Sequence, residues 1–146
     1  MPEITLRPIG TVHSPYASPG DAPPQSVLRE GVRATIEIYP EYAQGLQNLG
    51  EHDHIVVLFH FHLSRGCTLL TRTLWSETER GVFSTRSPHR PNPIGMTVAR
   101  LVGIEGNVLT IEGVDMIDGT PVLDIKGWYS KLVPAEAWAE RDLRER

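Results

Sequence analysis

The sequence predicts a mainly β protein that folds as a single small β-barrel with one or two short helices. Three observations lead to this fold class. Apolar residues recur mostly with a period of two, as expected for strands that bury one face. Helix signals are few, and glycines and prolines separate the short apolar runs. The chain of 146 residues has the size of one domain and can enclose one hydrophobic core.

The strand pattern occurs in six segments, residues 34–39, 55–62, 81–85, 96–104, 108–114 and 122–126. The fourth and fifth are predicted to form a hairpin, because Gly106 lies in the short connection between them. Helix signals are confined to residues 41–49, closed by Gly50, and residues 134–144, which open with a proline. We expect one domain over residues 1–146, with a barrel core at about 6–130 and a short C-terminal helix at about 134–144.

The composition is that of a soluble globular protein, with 40% apolar and 22% charged residues. The N-terminus lacks the apolar stretch of a signal peptide, and the longest apolar run, residues 55–59, is too short to cross a bilayer. Cys67 is the only cysteine, which excludes an intrachain disulfide. These features predict a cytoplasmic protein without a membrane partner.

The charge is unevenly distributed along the chain. A net charge of −4 argues against a generic nucleic-acid binder, and no DNA partner is expected. Residues 65–100 nevertheless carry six arginines against two glutamates, a net +4 against −8 for the rest. This basic middle predicts one anion-facing surface. The alternative is that the arginines are scattered over the barrel and form no patch.

The most informative segment is residues 86–95, Arg-Ser-Pro-His-Arg-Pro-Asn-Pro-Ile-Gly. Three prolines within six residues exclude a helix and a central strand. What remains is a stiff loop that displays Arg86 and Arg90, whose guanidinium groups suit a carboxylate or a phosphate. Because stiffness lowers the entropy cost of binding, a binding loop is favoured over a plain corner of the barrel.

A second cluster contains three aspartates, Asp115, Asp118 and Asp124. Carboxylates in this arrangement can hold a cation, orient hydroxyl groups or accept a proton. Asp118 also suits a turn with Gly119, and Asp124 can pair with Lys126 on one strand face.

Four histidines of one parity form a third cluster, and His60 and His62 would be neighbours on one strand face. No carboxylate of matching parity completes a ligand set nearby, so packed or hydrogen-bonded histidines are favoured and no metal is expected. The chain has no dinucleotide-binding glycine motif, P-loop or nucleophile elbow. A Rossmann-type methyltransferase or dehydrogenase is therefore disfavoured.

Residues 81–95, Gly-Val-Phe-Ser-Thr-Arg-Ser-Pro-His-Arg-Pro-Asn-Pro-Ile-Gly, resemble the signature of the TsaA-like (TrmO-type) family. Characterised members of that family are tRNA adenosine N6-methyltransferases. Residues 8–16, 59–62 and 118–126 resemble three other family motifs, in the family's order. The resemblance runs from about Leu6 to Lys126, nearly the whole chain.

The resemblance implies a single-sheeted β-barrel that forms a homodimer and binds S-adenosylmethionine near the subunit interface. The implied reaction is methylation of N6 of N6-threonylcarbamoyladenosine beside the anticodon of tRNA. The positions that match the family's cofactor contacts are Gln25, Ser26, Val27, His62, Leu63, Arg86, Met96, Asp118, Gly119, Thr120 and Pro121.

Catalytic and RNA-binding roles are hypotheses built on these matches. Asp124 or Asp118 would accept the proton that leaves the nitrogen, and Arg90 or Arg86 would hold a carboxylate or a phosphate. The RNA-binding candidates are Arg65, Arg72, Arg90 and Lys126.

Two departures from the family pattern concern the acceptor. After Lys126 the family usually continues with Pro-Tyr, where this chain has Gly127-Trp128-Tyr129, and bacterial tRNA-modifying members carry a C-terminal extension that is not part of this sequence. One rival interpretation keeps the cofactor and changes the acceptor to another RNA or a small molecule. The others are a non-catalytic module that senses S-adenosylmethionine, and a metal-dependent barrel enzyme that uses His60 and His62.

Overall fold

The computed structural model describes residues 2–18, 31–72 and 78–129. Its strands are β1 (Gly10–His13), β2 (Arg33–Ile38), β3 (His54–His60), β4 (Leu70–Thr71), β5 (Arg80–Gly81), β6 (Ile94–Glu105), β7 (Val108–Glu112) and β8 (Pro121–Gly127). Short 3-10 helices span Pro40–Leu46, Leu49–Glu51 and Val82–Ser84. The cofactor candidates Gln25, Ser26 and Val27 and the predicted helix at 134–144 lie outside the described residues.

Six strands close into one antiparallel barrel in the order β1-β2-β7-β6-β3-β8, which confirms the predicted fold class. β3 pairs with β6 along its whole length, from His54 opposite Arg100 to His60 opposite Ile94. On its other edge β3 pairs with β8, and β8 pairs with β1 to complete the ring. A closed ring has no exposed sheet edge. It also places the end of β3 between the start of β6 and the start of β8.

The barrel interior is filled by the apolar residues that the period-two pattern marks. Successive side chains of a strand point to opposite faces, and β3 alternates between buried and half-buried residues over its whole length. The core residues with at most 1% exposure include Val12, Ile36, Ile38, Ile55, Val57, Leu109, Ile111 and Val122. Burial of each such side chain contributes about 1.5–3 kcal/mol, so this interior is the main source of the barrel's stability.

A second sheet of only two strands, β4 and β5, lies apart from the barrel. The predicted strand at 81–85 is wrong beyond Gly81, because residues 82–84 form a 3-10 turn. In that turn the Thr85 N–H donates to the Val82 carbonyl at 3.0 Å, and the Ser84 hydroxyl donates to the Gly81 carbonyl at 2.7 Å. These local bonds replace the ladder bonds that a strand would have made.

The predicted helix at 41–49 is present only as two short 3-10 helices. Pro40 opens the first, where its missing N–H leaves no bond unmade. Asn48 then adopts a positive φ of 69°, which interrupts the helical path before Leu49. In residues 2–18, 31–72 and 78–129, no helix has the length and apolarity needed to cross a membrane.

Candidate active site

A cleft of about 640 Å³ opens at the end of the barrel where β3 finishes and where β6 and β8 begin. It has the size typical of small-molecule sites. The end of β3 forms its middle, the loop before β6 forms one side, and the segment before β8 forms the other. Its lining consists of Phe59, His60, Phe61, His62, Leu63, Ser64, Thr85, Arg86, Pro88, His89, Arg90, Ile94, Gly95, Met96, Asp115, Met116, Ile117 and Thr120.

The chain leaves β3 through a tight turn, so the predicted strand at 55–62 ends two residues early. The Phe61 N–H donates to the Pro93 carbonyl at 2.8 Å, and the His62 N–H donates back to the His60 carbonyl at 2.8 Å. Both histidines line the cleft as a result. Burial, reinforced by repulsion from His60, lowers the pKa of His62 below its ordinary 6.5. His62 is therefore uncharged at neutral pH.

The proline-rich loop is held by hydrogen bonds as well as by its prolines. The Arg90 guanidinium donates to the Thr85 carbonyl at 2.9 Å and to the Ser87 carbonyl at 3.0 Å. The Thr85 hydroxyl donates to the Val82 carbonyl at 2.8 Å. Arg90 thus braces the loop from inside, while the neighbouring Arg86 lines the cleft and remains exposed.

Ser64 ties the loop to the segment that follows β3. Its hydroxyl lies 2.9 Å from Nδ1 of His89 and donates to the Pro88 carbonyl at 3.1 Å. The Thr68 N–H donates to the His89 carbonyl at 3.0 Å. These bonds join two walls of the cleft that lie about 25 residues apart in the sequence.

Gly95 lies where the loop enters β6 and where two aromatic rings cover the backbone. A Cβ on Gly95 would meet the ring of Phe59 and would come within 2.8 Å of the Phe61 ring. The two rings pack edge to face, with centroids 5.1 Å apart. A glycine here lets both rings lie against the strand and shape the floor of the cleft.

The segment before β8 folds against β1. The Asp118 N–H donates to the Tyr16 carbonyl at 2.7 Å, and the Ser14 N–H donates to Oδ1 of Asp118 at 3.0 Å. Gly119 takes a positive φ of 84°, which glycine adopts without a Cβ clash. The Thr120 hydroxyl donates to the Ile117 carbonyl at 2.6 Å. These contacts bear out the turn at Asp118–Gly119.

The structure brings five of the predicted cofactor residues into the cleft lining: His62, Leu63, Arg86, Met96 and Thr120. Asp118, Gly119 and Pro121 flank Thr120 but do not line the cleft themselves. The cofactor-binding role of these residues stays a prediction.

The catalytic candidates are less favourably placed. Arg90 lines the cleft, but its guanidinium is engaged by the loop carbonyls. Asp124 lies opposite Leu58 in the β3–β8 pair, outside the cleft lining, and forms an ion pair with Lys126 at 2.8 Å. The sequence predicted this pair, because residues two apart on a strand share one face. The RNA-binding candidates Arg65 and Arg72 are exposed, and Lys126 lies outside the cleft with its partner.

Ser64 and Asp115 line the cleft but were not among the cofactor-binding or catalytic residues expected from the sequence. Asp115 belongs to the predicted aspartate cluster, but spacing alone could not tell which carboxylate would face a cavity. Nothing in the sequence around Ser64 marks it as a site residue. Among the described residues, no three histidine, cysteine or acidic side chains come together as a metal site.

Comparison with known proteins agrees with this architecture. Residues 11–132 match the family of tRNA-methyltransferase O N-terminal domains. A probable S-adenosyl-L-methionine-binding protein of Pyrococcus abyssi is 41% identical over 97% of this chain and 79% of its own length. The tRNA (adenine(37)-N6)-methyltransferase of Mus musculus is 41% identical over 87% of this chain but 31% of its own length.

A solved structure leads to the same family. The crystal structure of TrmO from Pseudomonas aeruginosa superposes with a TM-score of 0.75 at 37% identity and covers 90% of this chain. This chain spans 58% of that protein's length. The family match covers more than half of the chain, and the predicted TrmO-type resemblance is confirmed. The protein belongs to the tRNA-methyltransferase O N-terminal domain family.

Proposed function

We propose that this protein is an S-adenosylmethionine-dependent methyltransferase that acts on N6 of adenosine 37 of tRNA, in its N6-threonylcarbamoyl form. The cleft carries this proposal, because three segments distant in sequence meet there and three of the four family motifs contribute to its lining. The names of the Pyrococcus and mouse relatives support the cofactor and the reaction class.

The residues of the cleft fit the cofactor chemically. Arg86 can pair with the carboxylate of its methionine part, because a guanidinium binds a carboxylate through two parallel hydrogen bonds. The apolar lining, which includes Phe59, Met96 and Ile117, suits the adenine ring and the methylene groups. An uncharged His62 adds no positive charge beside a cationic sulfonium.

S-adenosylmethionine would supply the methyl group for an in-line displacement, in which the nitrogen–carbon bond forms as the sulfur–carbon bond breaks, S-adenosylhomocysteine leaves and N6 gives up its proton. This chain's own residues align the reactants and exclude water. Arg86 fixes one end of the bound molecule, and the braced proline-rich loop holds Arg86 in place. Asp124 and Asp118 remain hypotheses for the proton acceptor, and their position outside the lining favours release of that proton to water.

The homodimer implied by the family resemblance also remains a proposal. The two-stranded sheet and the residues that flank it expose three large apolar side chains, Leu69, Leu70 and Phe83, at 63%, 56% and 77%. A second copy of the chain would remove this apolar surface from water. We further propose that the protein acts in the cytoplasm, where its tRNA substrate is made and used.

A methylation assay tests the proposed reaction. Purified protein is incubated with S-adenosylmethionine and tRNA that carries or lacks the N6-threonylcarbamoyl group, and the digested nucleosides are analysed by mass spectrometry. The expected product is the N6-methyl derivative, formed only with modified tRNA and lost in Arg86→Ala. Cofactor binding without methylation of either tRNA would instead support a binding module, which the name of the Pyrococcus relative also permits.

Salt dependence tests the RNA half of the proposal. Each phosphate that the protein neutralises steepens the log–log slope of tRNA affinity against salt by roughly 0.7 to 0.9. We expect Arg65→Ala and Arg72→Ala to flatten this slope while cofactor affinity is retained. Arg86→Ala is expected to weaken cofactor binding instead. If tRNA affinity changes neither with salt concentration nor with any arginine substitution, the acceptor is a small molecule instead.

A further inference from the structure

Asp115 is the one acidic side chain among the described residues that line the cleft. It lies in the segment before β8, between the core residues Val114 and Met116, and one of its carboxylate oxygens is buried from solvent. Both neighbours are almost fully enclosed, at 0% and 1% exposure, so the backbone that carries Asp115 is firmly held. Asp115 therefore lines the cleft from a firmly held stretch of backbone.

The cleft has residues of opposite charge on two of its sides, and the strand order determines which charge lies on which side. β3 lies between β6 and β8, so the loop before β6 and the segment before β8 flank the end of β3 from opposite sides. The loop on the β6 side contributes Arg86 to the lining, whereas the segment on the β8 side contributes Asp115. A bound molecule with a negative end and a positive centre would be oriented by these charges.

We propose that the Asp115 carboxylate faces the sulfonium of bound S-adenosylmethionine. This inference rests on the proposed function and assigns a positioning role to a residue outside the four family motifs. The carboxylate and the ammonium of the cofactor share one carbon atom, so both stay on the β6 side when Arg86 holds the carboxylate. The sulfonium lies two methylene groups further on, which directs it across the cleft toward Asp115.

A carboxylate beside the sulfonium affects how tightly the cleft binds the methyl donor relative to its demethylated product. The attraction between a carboxylate and a sulfonium is strong in a partly buried cleft, because less water screens the two charges. Methyl transfer turns the sulfonium into a neutral thioether, and that attraction is then lost. Asp115 thus favours the methyl donor over its demethylated product, S-adenosylhomocysteine, and assists product release.

Calorimetric titration of both molecules separates this role from a structural one. The wild type, Asp115→Asn and the control Asp53→Asn are each titrated with S-adenosylmethionine and with S-adenosylhomocysteine. Asp53 is an exposed aspartate at the opposite end of β3, so its variant removes the same charge far from the cleft. Thermal unfolding of each ligand-free variant checks that it is folded.

The expected result is a loss of roughly tenfold in affinity for S-adenosylmethionine in Asp115→Asn, with little change for S-adenosylhomocysteine. Asp53→Asn should leave both affinities unchanged. Equal losses for the two molecules, or no loss, would overturn the role of Asp115. If Asp115→Asn does not fold, Asp115→Ser allows the same comparison. Failure of the wild type to bind either molecule would instead remove the proposed function, which is a distinct outcome.

Discussion

The imidazole ring of His52 packs directly on the backbone of Gly127, with its Cδ2 atom 2.6 Å from the point that a Cβ on Gly127 would occupy. The ring is fixed there by two further contacts. Its Nδ1 lies 3.3 Å from the Trp128 carbonyl, and the ring packs perpendicular to that of Tyr129 at a centroid distance of 5.2 Å. His52 fills the space that a side chain on Gly127 would need.

This packing predicts that Gly127→Ala destabilises the protein by about 1–2 kcal/mol, because the His52 ring must leave its site. At this chain length the melting temperature should fall by roughly 3 °C per kcal/mol. In a His52→Ala background the same change should be nearly neutral, which a double-mutant cycle of thermal unfolding measures. Equal effects in both backgrounds would disprove the contact.

Gly95 and Gly103 lie on the same strand and provide a matched pair of substitutions. We expect Gly95→Ala to reduce the free energy of unfolding by about 1–3 kcal/mol, because its Cβ would displace the rings of Phe59 and Phe61. Gly103 has open space beside it and no positive φ, so Gly103→Ala should be neutral or stabilise by about 0.5 kcal/mol. Denaturant unfolding of the two variants checks the difference. Similar values for both would show that the rings do not press on Gly95.

Arg90 is expected to act through the loop rather than through the ligand. Arg90→Ala removes the two bonds to the Thr85 and Ser87 carbonyls, so the loop should loosen and cofactor affinity should fall several-fold. Arg90→Lys should recover only part of the loss, because an ammonium cannot reproduce the planar fork of the guanidinium. Arg80→Ala, an exposed arginine on β5, is the control. An Arg90→Ala protein that binds cofactor normally but tRNA weakly would restore the hypothesis of a phosphate contact.

The lowered pKa of His62 predicts how stability changes with pH. The unfolded chain takes up a proton at about pH 6.5, before the folded chain does, because burial opposes the charged ring in the fold. The contribution of uncharged His62 to stability is therefore fully present above pH 6.5, and it is lost as pH falls through the folded-state pKa. His62→Gln should flatten the decline of melting temperature in this range. An unchanged slope in His62→Gln would contradict the shift.

The sequence by itself determined the barrel class and the irregular proline-rich loop before β6. Period-two burial follows from the geometry of a strand, and three prolines exclude regular structure whatever the remainder of the chain does. Both rules act over a few residues, so they can be applied before the fold is known. The turn at Asp118–Gly119, the hairpin around Gly106 and the family resemblance rest on equally local patterns. The predicted strand at 81–85 is wrong beyond Gly81, because side-chain bonds from Ser84 and Thr85 to the backbone outweigh strand propensity there.

Only the tertiary structure decided which of three aspartates faces the cleft and what Arg90 binds. Asp115, Asp118 and Asp124 lie close together in the sequence, and the fold places the first inside the lining and the other two outside it. The brace from Arg90 depends on the curvature of the loop, which no residue spacing reveals. Such roles are set by contacts between segments far apart in the chain, and those segments meet at this end of the barrel because β3 pairs with β6 on one edge and with β8 on the other.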